Sequence, residues 1–250
     1  MTQQERINAI EQILKANGFV TVKYLVDEIC YSTATINRDL NAMEKRGIIK
    51  RSYGGAELAQ PKTIPLYFRY SKMRPTKNLL AKKAAEFVDD GDTIFIDCST
   101  TAQYMGHYLT AKKDLTVITN NIALASYLSE CGITAICLGG MIMESPSMIY
   151  SAETVEFARR YTADKLFFSP TTITENGKIG ASKDDVHILL MKTMIDNARE
   201  TYMLCDHNKI DTSTNRFLCD LEDITFAITD FSFPQEIQQK YSNTRFIESN

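Results

Sequence analysis

After about residue 93 the sequence alternates short apolar runs with helix-like segments, and this alternation limits the possible folds more than any other feature. The predicted strands are residues 93–97, 115–119, 133–138, 165–169, 200–205 and 224–229. The predicted helices between them are residues 102–109, 122–130, 152–161 and 183–198. Repeated strand–helix–strand units build a mostly parallel sheet with helices on both faces. We therefore predict an α/β domain over residues 77–250.

The first 58 residues have a different pattern. Apolar residues recur at helical spacing over residues 2–17, 21–30 and 32–46. Two short strand-like runs follow on either side of Gly54 and Gly55, and Ser32 is placed to cap the third helix. Three short helices and a hairpin match the winged helix-turn-helix plan, so we predict a DNA-binding domain over residues 1–58. The alternative is a small helical bundle that binds a protein.

The third predicted helix has an apolar face, formed by Ile36, Leu40 and Met43, and a polar face. We expect the polar face and the hairpin to contact double-stranded DNA through Ser32, Thr33, Thr35, Asn37, Arg38, Asn41, Lys50, Arg51 and Tyr53. Hydroxyl, amide and guanidinium groups can contact base edges or phosphates when a helix lies in the major groove. We expect Arg38 to contact a base or a phosphate, and Lys50 and Arg51 to contact phosphates.

The distribution of charge agrees with this division, although the net charge of the chain is −3. Residues 1–62 contain nine Lys and Arg against seven Asp and Glu, whereas residues 63–250 contain nineteen against twenty-four. Residues 32–53 contain five basic and two acidic side chains. Positive charge is therefore concentrated where phosphates would lie.

Residues 59–76 contain Pro61, Pro65 and Pro75, which remove amide donors and interrupt regular structure. We interpret this segment as a linker between the two domains. The chain has no apolar run of transmembrane length, and its first residues are polar, so we expect a soluble cytoplasmic protein.

The six cysteines form no CxxC pair and have no metal-ligand spacing, so we expect them to be reduced and mostly buried. We expect neither a metal nor a cofactor. His107 and His187 are expected on helix surfaces, and His207 in a polar loop. We therefore assign no catalytic residue.

Polar groups and glycines cluster at the ends of the predicted strands. They are Asp97, Ser99, Thr100 and Thr101 after the first strand, Thr119, Asn120 and Asn121 at the second, Gly139 and Gly140 after the third, and, further along, Lys192, Asp206 and Lys209. Each Ser, Thr or Asn alone is better explained as a helix cap. Because the carboxyl ends of parallel strands share one edge, their coincidence instead favours a site for a small phosphorylated, polyhydroxylated molecule.

Several motifs occur in a characteristic order, namely TINRDL, YGGA, GDTIFIDCSTT, LTVITNN, LGG and CDHNK. Over about residues 3–232 the chain resembles the DeoR family of bacterial transcriptional regulators. The resemblance implies a winged helix-turn-helix domain joined to a sugar-phosphate sensor related in fold to ribose-5-phosphate isomerase. Such proteins usually repress genes for sugar uptake and catabolism until a phosphorylated intermediate accumulates.

By position, the resemblance implies that Ser99, Thr100 and Thr101 hold the phosphate. It places Asp97, Asn120, Gly139, Lys192, Asp206 and Lys209 around the sugar. We also expect a homodimer or homotetramer, assembled through the second domain, that contacts a repeated operator.

The chain departs from the family pattern at three places. Ser99 replaces a glycine, residues 169–172 (Ser-Pro-Thr-Thr) replace a Gly-Ala-x-Gly run, and apolar residues 188–191 replace an acidic position. The lost carboxylate disfavours isomerase chemistry, which needs a positioned base. Two alternatives to a sugar-phosphate-responsive repressor stay open: an isomerase-like enzyme with a DNA-binding appendage, and a regulator whose altered pocket responds to a protein partner.

Overall fold

The computed structural model describes residues 2–17, 19–46, 48–52, 54–58, 74–143, 148–181, 184–210 and 216–249. The chain divides into two compact units, Met1–Pro65 and Leu66–Asn250. The predicted linker lies outside the described residues except at its end, where a helix already begins at Arg74. Among the described residues, no helix combines the length and the apolar character needed to cross a membrane.

The first unit contains the three predicted helices and the predicted hairpin. Its elements are α1 (Gln3–Asn17), β1 (Val20–Thr21), α2 (Val22–Ile29), α3 (Thr33–Lys45), β2 (Ile49–Ser52) and β3 (Gly55–Leu58). The strands form an antiparallel sheet in the order β1-β3-β2, of which β1 was not predicted. We call α3 the recognition helix and β2–β3 the wing. The winged helix-turn-helix fold is thus confirmed.

The recognition helix is held in place by its apolar face. Ile36, Leu40 and Met43 are fully buried, as their spacing predicted. Asp39 lies on the same side of the helix and is also fully buried. Its carboxylate is satisfied there by Arg6 of α1, which donates through Nε at 2.7 Å and Nη2 at 3.2 Å. The buried face therefore combines apolar packing with one ion pair to α1.

The second unit contains every predicted strand and every predicted intervening helix. Its elements are α4 (Arg74–Ala85), β4 (Thr93–Ile96), a 3-10 turn (Ala102–Met105), α5 (Gly106–Leu109), β5 (Thr116–Thr119), α6 (Ile122–Glu130), β6 (Thr134–Cys137), α7 (Ala152–Ala158), β7 (Ala163–Phe168), β8 (Thr172–Ile173), β9 (Lys178–Gly180), α8 (Asp185–Asp196), β10 (Ala198–Cys205), a 3-10 turn (His207–Lys209), β11 (Phe217–Asp220), a 3-10 turn (Leu221–Asp223), β12 (Phe226–Thr229), α9 (Gln235–Lys240) and β13 (Arg245–Glu248). The predicted and observed ends differ by no more than a few residues.

In the part of the chain that the structure describes, the main sheet has seven strands in the order β13-β12-β10-β7-β4-β5-β6. All neighbouring strands are parallel, as predicted. The chain extends from β4 in one direction through β5 and β6, and β7 then returns to the other side of β4. Such a reversal leaves a crevice at the carboxyl ends of the two central strands. The crevice between β4 and β7 is therefore the expected ligand position.

Successive residues of the central strands point to opposite faces, and both faces are covered. Phe95 packs in a core with residues of α7 and α8, whereas Ile94 and Ile96 pack with residues of α4, α5 and α6. The Tyr202 ring stacks between Phe167 and Phe226, with centroid distances of 4.7 and 4.5 Å. The sheet therefore provides a rigid support for the groups at its carboxyl edge.

Two expectations about side chains need correction. His187 is buried, with Nε2 3.8 Å from Cys98 Sγ, because it shares a face of α8 with Leu190 and Met191. His107 and His207 are exposed, as expected. The six cysteines are free, but only Cys98, Cys205 and Cys219 are buried; Cys137 is half-buried, and Cys30 and Cys131 are exposed.

Candidate functional site

The outward side of the recognition helix carries an exposed stripe at helical spacing. Ala34, Arg38, Asn41 and Lys45 are all exposed, and so is Lys50 on the wing. Within the described ranges, the side chains of Arg38 and Lys50 make neither a hydrogen bond nor an ion pair. These two cations can therefore meet phosphates or bases without breaking an existing contact. Sequence reasoning overlooked Ala34 and Lys45, which the same spacing could have identified.

Some of the predicted DNA contacts are already used at the start of the helix. Thr35 N donates to Ser32 Oγ at 3.3 Å, and the two hydroxyls are 2.9 Å apart. The exposed Thr33 accepts a hydrogen bond at its carbonyl from Asn37 Nδ2, at 3.0 Å. Ser32 thus acts as the predicted helix cap. Tyr53 lies outside the described residues.

Arg51 has a different environment from the exposed cations. Its Nη1 donates to Asn41 Oδ1 and its Nη2 donates to Asn37 Oδ1, each at 2.6 Å. Its backbone N–H donates to Glu44 Oε1 at 3.2 Å. The wing is therefore fastened to the polar side of the recognition helix, and the guanidinium that was expected at a phosphate lies against two amides.

Asp97 lies at the crevice between β4 and β7. It is buried and accepts hydrogen bonds from Ser99 Oγ, at 2.5 Å, and from the backbone N–H groups of Ser99 and Ser169. Burial raises the pKa of Asp97 to about 6, although these hydrogen bonds and the charge of Lys209 oppose the rise. The carboxylate therefore joins the ends of the two central strands.

Several polar side chains at this edge accept hydrogen bonds from backbone N–H groups of the turn or helix that follows. This is the capping role that the sequence favours for each residue taken alone. Ser99 Oγ accepts from Ala102 N at 3.2 Å, Thr119 Oγ1 from Asn121 N at 3.1 Å, and Asn121 Oδ1 from Leu124 N at 3.1 Å. Asn121 Nδ2 also donates to Gln103 Oε1 at 2.8 Å, which connects the ends of β4 and β5. These hydrogen bonds therefore hold the shape of the edge.

Thr100 and Thr101 are buried in the turn after β4. Thr100 Oγ1 accepts a hydrogen bond from Lys77 Nζ at 3.0 Å, and Lys77 is itself only 6% exposed. A buried ammonium group beside a hydroxyl-rich turn is a strong attraction for an anion. Sequence reasoning missed Lys77. The available signal was weak: a cation in the first turn of a helix opposes the helix dipole and suggests a further role.

Two buried polar atoms near this crevice have no hydrogen-bond partner among the described residues. One is Asn120 Oδ1, although Asn120 Nδ2 donates to the Ile149 carbonyl at 3.0 Å. The other is Ser169 Oγ, at the end of β7. Buried polar atoms of this kind are rare, so these two are candidates for contacts with water or with a ligand.

The far end of the edge follows β10. Asp206 is buried, and its Oδ1 accepts from Asn208 N at 3.1 Å. Lys209 Nζ donates to the carbonyl of Pro170 at 2.5 Å. Lys209 therefore connects the end of β10 to the end of β7, next to Asp97.

Lys192, Gly139 and Gly140 were also predicted to bind the effector. Among the described residues, no hydrogen bond or ion pair joins them to the polar groups around the crevice. Lys192 is exposed on α8, and its charge acts on Cys219. Gly139 and Gly140 are exposed. Gly140 has a φ of 140°, and a Cβ there would lie 2.1 Å from Thr154 Oγ1. The missing side chain of Gly140 therefore leaves room for the start of α7.

Comparison with known proteins agrees with both halves of this arrangement. The DeoR-like helix-turn-helix domain family matches residues 6–62, and the DeoR C-terminal sensor domain family matches residues 72–231. These matches cover most of the chain. The chain belongs to the DeoR family.

Similar characterised proteins extend over nearly the whole chain. The HTH-type transcriptional repressor GlcR of Bacillus subtilis is 32% identical, over 92% of this chain and 89% of its own. The glycerol-3-phosphate regulon repressor of Escherichia coli is 27% identical, over 96% and 95%. The lactose phosphotransferase system repressor of Staphylococcus aureus is 24% identical, over 95% and 96%.

Among solved structures, ribose 5-phosphate isomerase A of Methanocaldococcus jannaschii matches with a TM-score of 0.42 and 18% identity, over 56% of this chain and 55% of that chain. Ribose 5-phosphate isomerase of Plasmodium falciparum matches with a TM-score of 0.42 and 16% identity, over 56% and 54%.

Proposed function

We propose that this protein is a sequence-specific DNA-binding repressor of genes for sugar uptake or catabolism, and that a phosphorylated sugar releases it from its operator. Membership of the DeoR family and the named repressors among its relatives support the DNA-binding half of the proposal. The exposed Arg38 and Lys50 provide the cations for that contact.

The observation that carries the sensor half is the buried contact between Lys77 Nζ and Thr100 Oγ1. A phosphate placed beside the turn of residues 99–101 would receive the ammonium charge and the threonine hydroxyls together. Asn120 Oδ1 and Ser169 Oγ have no hydrogen-bond partner in the described part of the chain. The first accepts hydrogen bonds and the second both donates and accepts, which suits the hydroxyl groups of a sugar.

The same geometry supports a binding role over catalysis. Aldose–ketose isomerisation needs a carboxylate that is free to move a proton between neighbouring carbons. The Asp97 carboxylate is instead engaged by Ser99 Oγ and by the N–H groups of Ser99 and Ser169. We therefore propose that the protein binds a sugar phosphate without converting it. Assembly as a homodimer or homotetramer stays a prediction from the sequence.

The proposal can be tested with the full-length protein in three steps. A random duplex library first yields a bound DNA sequence. Phosphorylated sugars are then screened for thermal stabilisation, because a ligand specific for the folded state raises its stability by RT ln(1 + [L]/Kd). Stabilising sugars are finally added to the protein–DNA complex. We expect a sugar phosphate to release the DNA, since a ligand shifts an equilibrium only through different affinities for the two states.

Thr100→Ala provides the matched variant. It should bind DNA as the wild type does and fail to respond to the sugar phosphate. Release by the corresponding unphosphorylated sugar at equal concentration would contradict the phosphate assignment. Turnover of aldose phosphates by the purified protein would favour the isomerase alternative.

A further inference from the structure

The environment of Arg51 bears on how the recognition helix selects bases. Asn37 and Asn41 are one helical turn apart, and the Arg51 guanidinium spans them with two bonds of 2.6 Å. The backbone of Arg51 is also fixed by Glu44 and by pairing with Ala56 in the wing. The guanidinium is therefore held between the wing and the helix.

The chemistry of these groups determines how the amides are oriented. A guanidinium group only donates hydrogen bonds, so each amide must turn its oxygen toward Arg51. The NH2 groups then face away from it. Asn37 uses one N–H on the Thr33 carbonyl, whereas Asn41 is exposed and its NH2 group has no hydrogen-bond partner among the described residues.

We infer that Arg51 is a positioning residue that makes Asn41 a donor toward DNA and thereby sets its base preference. The inference rests on the DNA-binding function proposed above. An asparagine that binds adenine in the major groove uses both its oxygen and its nitrogen, but the oxygen of Asn41 is occupied by Arg51. The NH2 group can only meet acceptors, and guanine presents two of them, N7 and O6.

The inference assigns Arg51 a role that differs from a phosphate contact, and lysine distinguishes the two. Arg51→Lys keeps the positive charge but cannot span two amides with a planar fork. A phosphate contact would largely survive this change. The positioning role would not, because the Asn41 oxygen would become free to accept from adenine N6.

The experiment uses the full-length protein and a random duplex library at fixed salt, with wild type, Asn41→Ala, Arg51→Lys and Arg51→Ala compared. The base position that loses its preference in Asn41→Ala identifies where Asn41 binds. At that position we expect guanine in the wild type and a shift toward adenine, on the order of tenfold, in Arg51→Lys. Lys50→Ala, an exposed neighbour, should leave the preference unchanged and weaken binding evenly.

Two results would overturn the inference. One is an unchanged base preference in both Arg51 variants with only a smaller salt dependence, which is the behaviour of a phosphate contact. The other is failure of the wild type to select any sequence, which would remove the proposed DNA-binding function as well. Circular dichroism and the thermal midpoint show whether each variant is folded. If Arg51→Ala is unfolded, Arg51→Lys alone decides between the two roles.

Discussion

Arg6 Nε lies 2.7 Å from Asp39 Oδ2. The Asp39 carboxylate, on the buried face of the recognition helix, has no solvent exposure and is paired with a cation from α1. The Arg6 guanidinium also lies over the Tyr31 ring, 4.9 Å from its centroid. The position of the proposed DNA-contacting face of the recognition helix therefore depends on a charge pair on the opposite side of that helix.

Asp39→Ala should destabilise the first unit, because it removes the buried partner of Arg6 and leaves a hole beside it. The loss of a buried pair is large for a small domain, so the midpoint of its thermal transition should fall by roughly 10 °C. Gln4→Ala, an exposed substitution on α1, is the control and should change the midpoint little. An unchanged midpoint for Asp39→Ala would show that the pair contributes nothing.

Arg38→Ala and Lys50→Ala should weaken DNA binding in different ways. A bidentate contact to a base discriminates by about 1–3 kcal/mol, so loss of Arg38 should relax the selected sequence at one position. Loss of a phosphate contact at Lys50 should weaken all sequences equally and reduce the salt slope by about one. Affinity measured over a range of salt concentrations checks both. Wild-type behaviour of both variants would remove this face of the protein as the DNA contact.

Lys77→Met should leave DNA affinity unchanged and lower affinity for the sugar phosphate by roughly tenfold or more, since hydrogen bonds to charged groups contribute about 1.5–3 kcal/mol. Calorimetric titration of the ligand found in the screen measures this change. Lys82→Met is the matched control, because Lys82 is exposed on the same helix. If both variants lost the same affinity for the sugar phosphate, the overall positive charge of α4 would account for the effect, and the buried Lys77 ammonium group would have no special role.

Asp97→Asn should change how stability depends on pH. The pKa of Asp97 in the folded protein, about 6, lies above its ordinary value of 3.8, so the folded state binds the proton more tightly than the unfolded state. The ionised group therefore costs stability above pH 6, and this cost disappears as the pH falls toward 4. The difference in unfolding free energy between variant and wild type should change by about 3 kcal/mol over that window, as urea unfolding can measure. A constant difference would contradict the raised pKa.

Ser169→Ala should have opposite effects on the free and the ligand-bound protein. Removing a buried hydroxyl that has no partner among the described residues should stabilise the free protein, by about 1 kcal/mol. The same change should reduce the stabilisation that the sugar phosphate provides, because a partner for a sugar hydroxyl is lost. If the variant gains stability and responds fully to the ligand, Ser169 is not a ligand contact.

The main sheet could be predicted because its central strands are buried on both faces and are therefore continuously apolar. The edge strand β13 (Arg245–Glu248) has two exposed charged ends and two partly buried residues between them, which gives too little pattern to recognise. Strands β8 and β9 contain two and three residues, and β9 pairs with β11, which lies far along the chain. Periodicity cannot reveal elements that depend on such non-local contacts.

The site was predicted less completely than the fold, for a related reason. Residue type and position at a strand end made Asp97 and Thr100 candidates for the site. The contact of Thr100 with Lys77 could not be predicted in this way, because it joins the end of β4 to α4. The placement of Arg51 against Asn37 and Asn41 likewise depends on how the wing folds over the helix. A sequence shows which side chains can bind DNA or an anion, but their contacts with one another depend on tertiary packing.

The change at β4 in the side of the sheet to which strands are added has a consequence for folding. The groups around the crevice come from Lys77, Asp97, Ser169 and Lys209, which are far apart in sequence and meet only when β4, β7 and β10 are paired. A partly folded chain would contain some of these groups but not the complete proposed site. Ligand binding should therefore protect the central strands from hydrogen exchange as one cooperative unit, instead of protecting the nearby loops alone.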